Sequence, residues 1–153
     1  MFVPPKNCIG RQGLRAIAAA GLHLGGTAGV RAGWPALSLR TWSIWRRLRR
    51  WRQSGGNGCP WVLDLGDHRE IPGNPVTPIA HSSRNQAIFE EAVRVGGSFC
   101  AATHYWELNV PSVHAGEVTV GKQLHRLINL AVSSPQVVWQ SVGDVVSNGA
   151  AVI

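Results

Sequence analysis

The chain has 153 residues, of which 44% are hydrophobic and 15% charged, and its formal net charge is +7. This length and composition predict one domain with a real core, and they exclude a disordered chain. No uninterrupted apolar run is long enough to cross a bilayer, and the first residues lack the basic-then-apolar order of a signal peptide, so we expect a cytoplasmic protein. Three widely spaced cysteines, Cys8, Cys59 and Cys100, fit reduced thiols better than a disulfide framework or a zinc site.

The positive charge is confined to the first part of the chain. Residues 1–63 contain ten basic groups and no acid, whereas residues 64–153 contain five basic groups and eight acids, a net charge of −3. A polyanionic partner would therefore be expected at one region and not over the whole surface.

The first elements predict a strand, a helix and a strand. Residues 2–5 (FVPP) resemble the end of a strand that breaks into a loop, because two prolines cannot continue a ladder. Apolar residues from Leu14 recur at helical spacing, and Gly21 is well placed to end that helix. Residues 22–24 (LHL) form a short strand candidate. Such a passage is typical of a parallel α/β arrangement.

Residues 27–60 interrupt this pattern and are predicted to be an insert built around a basic helix at residues 39–52. One face of that helix carries Ile44, Leu48 and Trp51, with Trp45 at its edge. The other face carries four arginines, Arg46, Arg47, Arg49 and Arg50. Three interpretations remain open: a helix on an anionic membrane, a surface that holds a nucleic-acid strand, or a surface helix packed by its tryptophans with a solvated arginine face.

Regular order resumes with a predicted strand at residues 61–65, followed by a polar cluster at residues 66–70 and a proline-rich segment, 71–78, interpreted as an ordered loop. Asp64, Asp67 and His68 could bind a metal, but their spacing matches no specific ligand motif. A turn stabilised by Asp67 is the commoner explanation.

The last part alternates helices and strands. Ser82 or Ser83 is predicted to cap a helix that Gly96 and Gly97 end. A strand at residues 99–102, with small residues suited to a crowded interior, follows it. The remaining predicted elements are a helix opened by Thr119, a strand at residues 137–139 and a terminal helix at residues 141–146. His114 and His125 are interpreted as a loop histidine and an exposed helical one.

The strand at residues 99–102 leads directly into a chemically rich segment, Thr103 to Glu107. Catalytic groups in α/β proteins gather where a strand ends, because the sheet fixes the backbone there. His104 offers a titratable imidazole, and Tyr105 and Trp106 offer apolar rings beside the carboxylate of Glu107. Such a set suits a polar ligand with apolar faces, such as a sugar. The alternative is a hydrogen-bonded histidine at a strand terminus.

The alternation of strands and helices predicts an α/β fold with parallel strands or a (β/α) barrel. The chain is too short for a full barrel, and it opens on the end of a strand that has nothing before it to pair with. We therefore expect residues 1–153 to form a single partial barrel domain, the second half of a larger one, with the basic insert at about 27–60.

Three segments carry a resemblance to a known family: residues 2–7 (FVPPKN), 63–68 (LDLGDH) and 99–107 (FCAATHYWE). They resemble the C-terminal half of a polysaccharide deacetylase domain. Members of this family are carbohydrate esterases, hydrolases that use a divalent metal, zinc, to remove N- or O-acetyl groups from glycans. Their fold is an irregular (β/α) barrel.

The resemblance assigns roles to individual positions. His104 matches the family's histidine that acts as general acid toward the leaving group, and imidazole chemistry agrees with that role. Pro5 and Asn7 belong to the proline-containing motif, in which Val3 replaces an arginine common in the family. These two, together with the strand-end residues, would contact the glycan substrate, which gives the substrate-binding set Tyr105, Trp106, Glu107, Pro5, Asn7 and His68.

The family's water-activating groups are missing from this sequence. No Asp-Asp pair is present, and no two of the six histidines are four residues apart. The chain is therefore expected to be a fragment whose partner is the missing N-terminal half, or a truncated relative. On its own it should bind no catalytic metal and should not deacetylate. The alternatives are a basic module that binds nucleic acid or anionic membrane through residues 39–52, and a non-catalytic glycan-binding remnant.

Overall fold

The computed structural model of the chain describes residues 3, 9–26, 38–114 and 118–148. Pro5 and Asn7, and most of the strand end predicted at residues 2–5, lie outside this part. So does the first portion of the predicted insert, residues 27–37.

The described residues form helices and short strands, which alternate except between residues 63 and 75, where three strands follow one another, and after residue 119, where two helices do. In chain order they are α1 (Arg11–Ala19), β1 (Leu24–Gly25), α2 (Leu39–Gln53), β2 (Leu63–Asp64), β3 (Arg69–Ile71), β4 (Gly73–Pro75), α3 (Ser82–Arg94), β5 (Cys100–Ala102), a 3-10 turn (Tyr105–Glu107), α4 (Val120–Ser133) and α5 (Val142–Asn148).

The strands form two small sheets. The first has the order β1-β3-β2, in which β1 runs parallel to β3 and β2 runs antiparallel to it. The second consists of β4 and β5, which are parallel, with Gly73 opposite Cys100. The fold is thus mixed α/β with parallel pairs, as the alternation predicted. The antiparallel β2–β3 pair was not predicted, and the strands in the described part of the chain form no closed barrel.

Three strand predictions need correction. The segment predicted to be an ordered loop contains β4 and the end of β3, because β5 supplies a parallel partner to residues 73–75. Residues 137–139 form no strand, and Val138 and Trp139 are exposed there. The strand predicted for a crowded interior does form, as β5, but Ala101 and Ala102 are exposed.

The structure confirms the residues predicted to begin or end three of the helices. After α1 the backbone of Gly21 has a φ of 64°, a left-handed conformation that glycine adopts readily. The Thr119 side chain accepts a hydrogen bond from the backbone N–H of Lys122 and so caps α4. Gly96, with a φ of 63°, follows α3.

The start of α3 differs from the prediction. His81 is the residue that precedes the first turn, and its side chain makes no capping hydrogen bond. Ser82 and Ser83, the two predicted caps, are instead the first two residues of the helix.

The apolar residues collect in four small clusters instead of one large core. The largest joins α3 to α4 and includes Phe89, Val120 and Leu127. In a second cluster, Ile44 of α2 packs against Leu63 and Leu65. The described part of the basic insert is therefore anchored to the first sheet by its apolar face. Within the described residues, no helix is long and apolar enough to cross a membrane.

Candidate functional site

The parallel pair β4–β5 positions the segment that follows β5. The backbone N–H of Val76 donates to the carbonyl of Ala102 at 2.8 Å, which extends the pairing beyond β4. The buried side chain of Asn74 donates from Nδ2 to the carbonyl of Cys100 at 3.3 Å. These two hydrogen bonds fix the backbone of β5 up to Ala102, the last residue before the polar segment that starts at Thr103.

An exposed group of rings follows this strand end, and we call His104, Tyr105 and Trp106 the aromatic surface. The rings of His104 and Trp106 are stacked, with centroids 4.5 Å apart and planes 10° apart. Tyr105 meets Trp106 edge-on at 5.0 Å. Tyr105 is 80% exposed and Trp106 62% exposed. The 3-10 turn creates this arrangement, since the backbone N–H of Glu107 donates to the carbonyl of His104.

Two polar atoms beside the aromatic surface lack partners. Oγ1 of Thr103 and Oε2 of Glu107 are shielded from solvent, and neither has a hydrogen-bond partner among the described residues. An unsatisfied buried polar atom costs about 1–3 kcal/mol. A ligand hydroxyl that reached either atom would supply the missing hydrogen bond, so the carboxylate and the hydroxyl are suited to a polyhydroxylated ligand.

His68 occupies a different environment. It immediately precedes β3, and its side chain is fully buried. Its Nδ1 lies 2.8 Å from Oδ1 of Asp67, and its Nε2 lies 3.2 Å from Oε1 of Glu70, which is also fully buried. Burial disfavours the imidazolium, but the hydrogen bonds to Glu70 and Asp67 outweigh it and raise the pKa of His68 above its ordinary value. In the described residues no hydrogen bond, ion pair or ring contact joins His68 to the aromatic surface.

The side chain of Asp64, which was not predicted to do so, stabilises the turn before His68. Oδ1 of Asp64 accepts the backbone N–H of Gly66 at 2.9 Å and a hydrogen bond from Arg40 at 3.2 Å. Asp67 binds His68. Over the described ranges, no group of three or more His, Cys, Asp or Glu side chains could hold a metal ion.

Helix α2 presents a second exposed surface, the Arg/Trp face, made of Trp42, Trp45, Arg46 and Arg49. Trp42 is 60% and Trp45 50% exposed, and the guanidinium carbon of Arg46 lies 5.2 Å from the centre of the Trp42 ring. These positions follow the helical repeat opposite buried Ile44.

The tryptophans of α2 divide between two roles. The interpretation in which tryptophans pack the helix holds for Trp51, whose ring contacts Trp61 edge-on at 4.9 Å. It is wrong for Trp42 and Trp45, which project outward.

Sequence reasoning missed two features. The rings of His81 and His114 stack at 3.6 Å, and Nε2 of His114 donates to the carbonyl of Ile79. This pair is 33 residues apart in the chain, and nothing in the sequence signals it. Gln123 is buried in α4 although glutamine is normally exposed. His114 and His125 are a loop residue and an exposed helical residue, as predicted.

Comparison of the chain with protein-family models, with curated proteins and with solved structures found no match.

Proposed function

We propose that the chain is the C-terminal portion of a polysaccharide-deacetylase-like hydrolase with a partial (β/α) barrel, and that its aromatic surface binds the glycan. The observation that supports this proposal most is the exposed ring stack of His104 and Trp106, which begins where the parallel strand β5 ends. An imidazole held against an exposed indole places a proton donor beside a surface that suits the apolar face of a sugar ring.

The glycan would bind by two kinds of contact. The C–H face of a pyranose would pack on the exposed rings of Tyr105 and Trp106. The oxygens of Thr103 and Glu107 are shielded from solvent, so the sugar hydroxyls would pair with them only after a small shift of the 3-10 turn exposes them. Rings supply contact area at a low cost in side-chain entropy, whereas the oxygens supply orientation.

His104 would act as the general acid in the parent enzyme. In deacetylation a water oxygen adds to the acetyl carbon and gives up one proton to a base, which the missing half would supply. The C–N bond breaks, and the departing nitrogen takes a proton from the His104 imidazolium. The products are a free amine and acetic acid, which then ionises to acetate. The sequence contains no Asp-Asp pair and no histidines four apart to activate that water. We therefore expect this chain to bind glycan and to release no acetate unless the missing half is supplied.

The test is a titration of the full chain with an N-acetylated glucosamine oligosaccharide, followed by NMR. We expect saturable shifts at residues 103–107, and about tenfold weaker binding for Trp106→Ala, the loss of about 1.4 kcal/mol. Trp139→Ala is the matched control, because Trp139 is 65% exposed and lies outside the aromatic surface. Its affinity should equal that of the parent chain.

Two results would overturn this function. Equal affinities for Trp106→Ala and the parent chain would remove the aromatic surface from glycan recognition. Acetate released by the chain alone, at a rate abolished by His104→Asn, would show that it is a complete enzyme and not a portion of one.

A second candidate function is supported by the Arg/Trp face, which we propose binds a single-stranded nucleic acid. Arginines interleaved with exposed rings suit a strand, because the phosphates pair with guanidinium groups while the bases stack. An interfacial membrane helix needs a separate apolar face, and in α2 that face is already packed against Leu63 and Leu65 through Ile44.

This candidate is tested by the salt dependence of binding to a fluorescent single-stranded oligonucleotide. Arg46→Ala combined with Arg49→Ala should lower the slope of log K against log salt by about 1.4, which is about 0.7 for each phosphate that is no longer neutralised. Arg11→Ala combined with Lys122→Ala removes the same charge elsewhere and should leave most of the slope unchanged. Equal effects of the two pairs, or binding to anionic vesicles alone, would contradict the proposal.

A further inference from the structure

A small cleft lies between the start of α3 and the middle of α4. Its volume is about 50 Å³, and it is lined by Ser82, Asn85 and Gln86 from one helix and by Gln123, Arg126 and Leu127 from the other. A single water needs about 10–15 Å³ of such volume. The cleft is therefore large enough for a small polar group of a few heavy atoms.

Two polar side chains of this cleft are buried: that of Asn85, whose Nδ2 donates to the carbonyl of Pro75, and that of Gln123. Gln123 is 2% exposed, and neither its Nε2 nor its Oε1 has a hydrogen-bond partner among the described residues. Buried amides are almost always paired, so an amide in this state calls for a partner that the described part of the chain does not provide. That partner must accept one hydrogen bond and donate another.

The first turn of α3 supplies further donors. His81 provides no side-chain cap, and this turn contains no acidic residue but does contain Arg84. Within the described residues the backbone N–H groups of Ser82, Ser83 and Arg84 have no acceptor. The positive end of a 13-residue helix is thus left without a compensating negative charge.

Arg126 adds a full positive charge to the same cleft. It lies one turn after Gln123 on α4, and no ion pair joins it to a carboxylate in the described part of the chain. Two sources of positive potential, the first turn of α3 and Arg126, therefore meet at the cleft. The side-chain amides of Asn85 and Gln86 already donate within the protein, so the donors left for a ligand are those of the helix turn, Gln123 and Arg126.

We propose that this cleft is a binding site for a phosphate group that retains a proton. Its anionic oxygens accept hydrogen bonds from the first turn of α3, from Nε2 of Gln123 and from Arg126. Its remaining O–H donates to Oε1 of Gln123, so both orphaned amide atoms become paired. The site is independent of the glycan and nucleic-acid functions proposed above.

The requirement for a donor separates phosphate from sulfate, which has the same shape but no proton near neutral pH. The full chain is titrated with sodium phosphate and with sodium sulfate at constant ionic strength and about pH 5, one unit below the second pKa of phosphate monoesters (about 6), where most monoester molecules keep their proton. We expect saturable NMR shifts at the backbone amides of residues 82–84 and at the Gln123 side chain, with sulfate at least fivefold weaker. A parallel titration with methyl phosphate identifies the natural ligand. If the site takes a phosphate attached to a larger molecule, methyl phosphate should bind as well as inorganic phosphate; if it takes free phosphate, inorganic phosphate should bind better.

Variants locate the site. Gln123→Met keeps the volume but removes both polar atoms, and it should weaken phosphate binding at least tenfold. Gln136→Met, at an exposed position, is the control and should change nothing. Arg126→Gln should weaken phosphate binding at least fivefold. Because Arg126 is exposed, this substitution tests the site without disturbing the packing between the helices.

Three outcomes would overturn the proposal. These are no saturable shift with phosphate, equal affinities for Gln123→Met and Gln136→Met, and equal binding of sulfate and phosphate. The last would show that Oε1 of Gln123 takes no hydrogen bond from the ligand.

Discussion

The chain carries two histidines in polar segments next to strands, and the structure treats them in opposite ways. His68 is enclosed between the carboxylates of Asp67 and Glu70. His104 lies at the surface and contacts the ring of Trp106. From sequence, His104 was predicted to be a general acid, and His68 a substrate contact or a metal ligand beside Asp64 and Asp67. Both histidines lie close to a carboxylate at a strand boundary.

The difference lies in the direction of the neighbouring carboxylates. Asp67 and Glu70 lie within two residues of His68 and point at its two ring nitrogens, so all its hydrogen-bonding capacity is used inside the protein. Glu107 lies three residues after His104, across a 3-10 turn, and its Oε2 has no partner in the described structure. A histidine whose partners are satisfied stabilises a fold, whereas one beside an unsatisfied carboxylate remains available to a ligand.

The largest expected effect is on the enclosed histidine. His68→Leu leaves the buried carboxylate of Glu70 without one of its partners, and removing one member of a buried ion pair costs about 3–5 kcal/mol. We expect the free energy of unfolding, measured by urea titration, to fall by that amount. Such a loss is comparable to the total stability of many small domains.

His125→Leu is the matched control, since His125 is exposed on α4. Its free energy of unfolding should stay within about 0.5 kcal/mol of the parent value. A similar small effect for His68→Leu would show that the cluster is solvated and that the contrast between the two histidines does not hold.

The second prediction concerns pH. Because the pKa of folded His68 is raised by Glu70 and Asp67 despite burial, its stabilisation is fully present below the unfolded-state pKa of about 6.5 and is lost as pH rises through the folded-state pKa. His23 acts in the opposite sense: burial, with Arg69 nearby, lowers its pKa, so its contribution is lost as pH falls.

Both the parent chain and His68→Leu contain His23. The difference between their free energies of unfolding therefore reports the pH dependence due to His68 alone. Urea midpoints measured from mildly acidic to alkaline pH should converge as pH rises. A gap between the two chains that widens with pH would contradict the raised pKa of His68.

The sequence predicted the helices better than the sheets, for a physical reason. α4 carries its own apolar stripe and cap, so Thr119 and Leu127 could be placed from local spacing alone. Residues 73–75 contain a glycine and a proline and become a strand only because β5 lies alongside. Residues 137–139 have strong strand propensity but no partner strand within the described residues, and they remain irregular.

The candidate sites also differ in whether local sequence or packing between elements forms them. The aromatic surface is one continuous segment, so its composition could be read directly, although its exposure could not. The phosphate cleft joins two helices, and such a site depends on how they pack. One signal was nevertheless present: Gln123 lies in the stripe formed by Val120, Leu127 and Ala131, where an apolar residue is expected.

The smallest expected effect is on the exposed histidine. His104→Ala removes an exposed ring that stacks on another exposed ring, and such surface contacts contribute less than about 1 kcal/mol. The free energy of unfolding should change by no more than that, at either end of the pH range used for His68. If His104→Ala instead destabilised the chain as much as His68→Leu, the stack of His104 with Trp106 would be part of the packed structure. The aromatic surface would then be a structural feature and not a binding site positioned by β5.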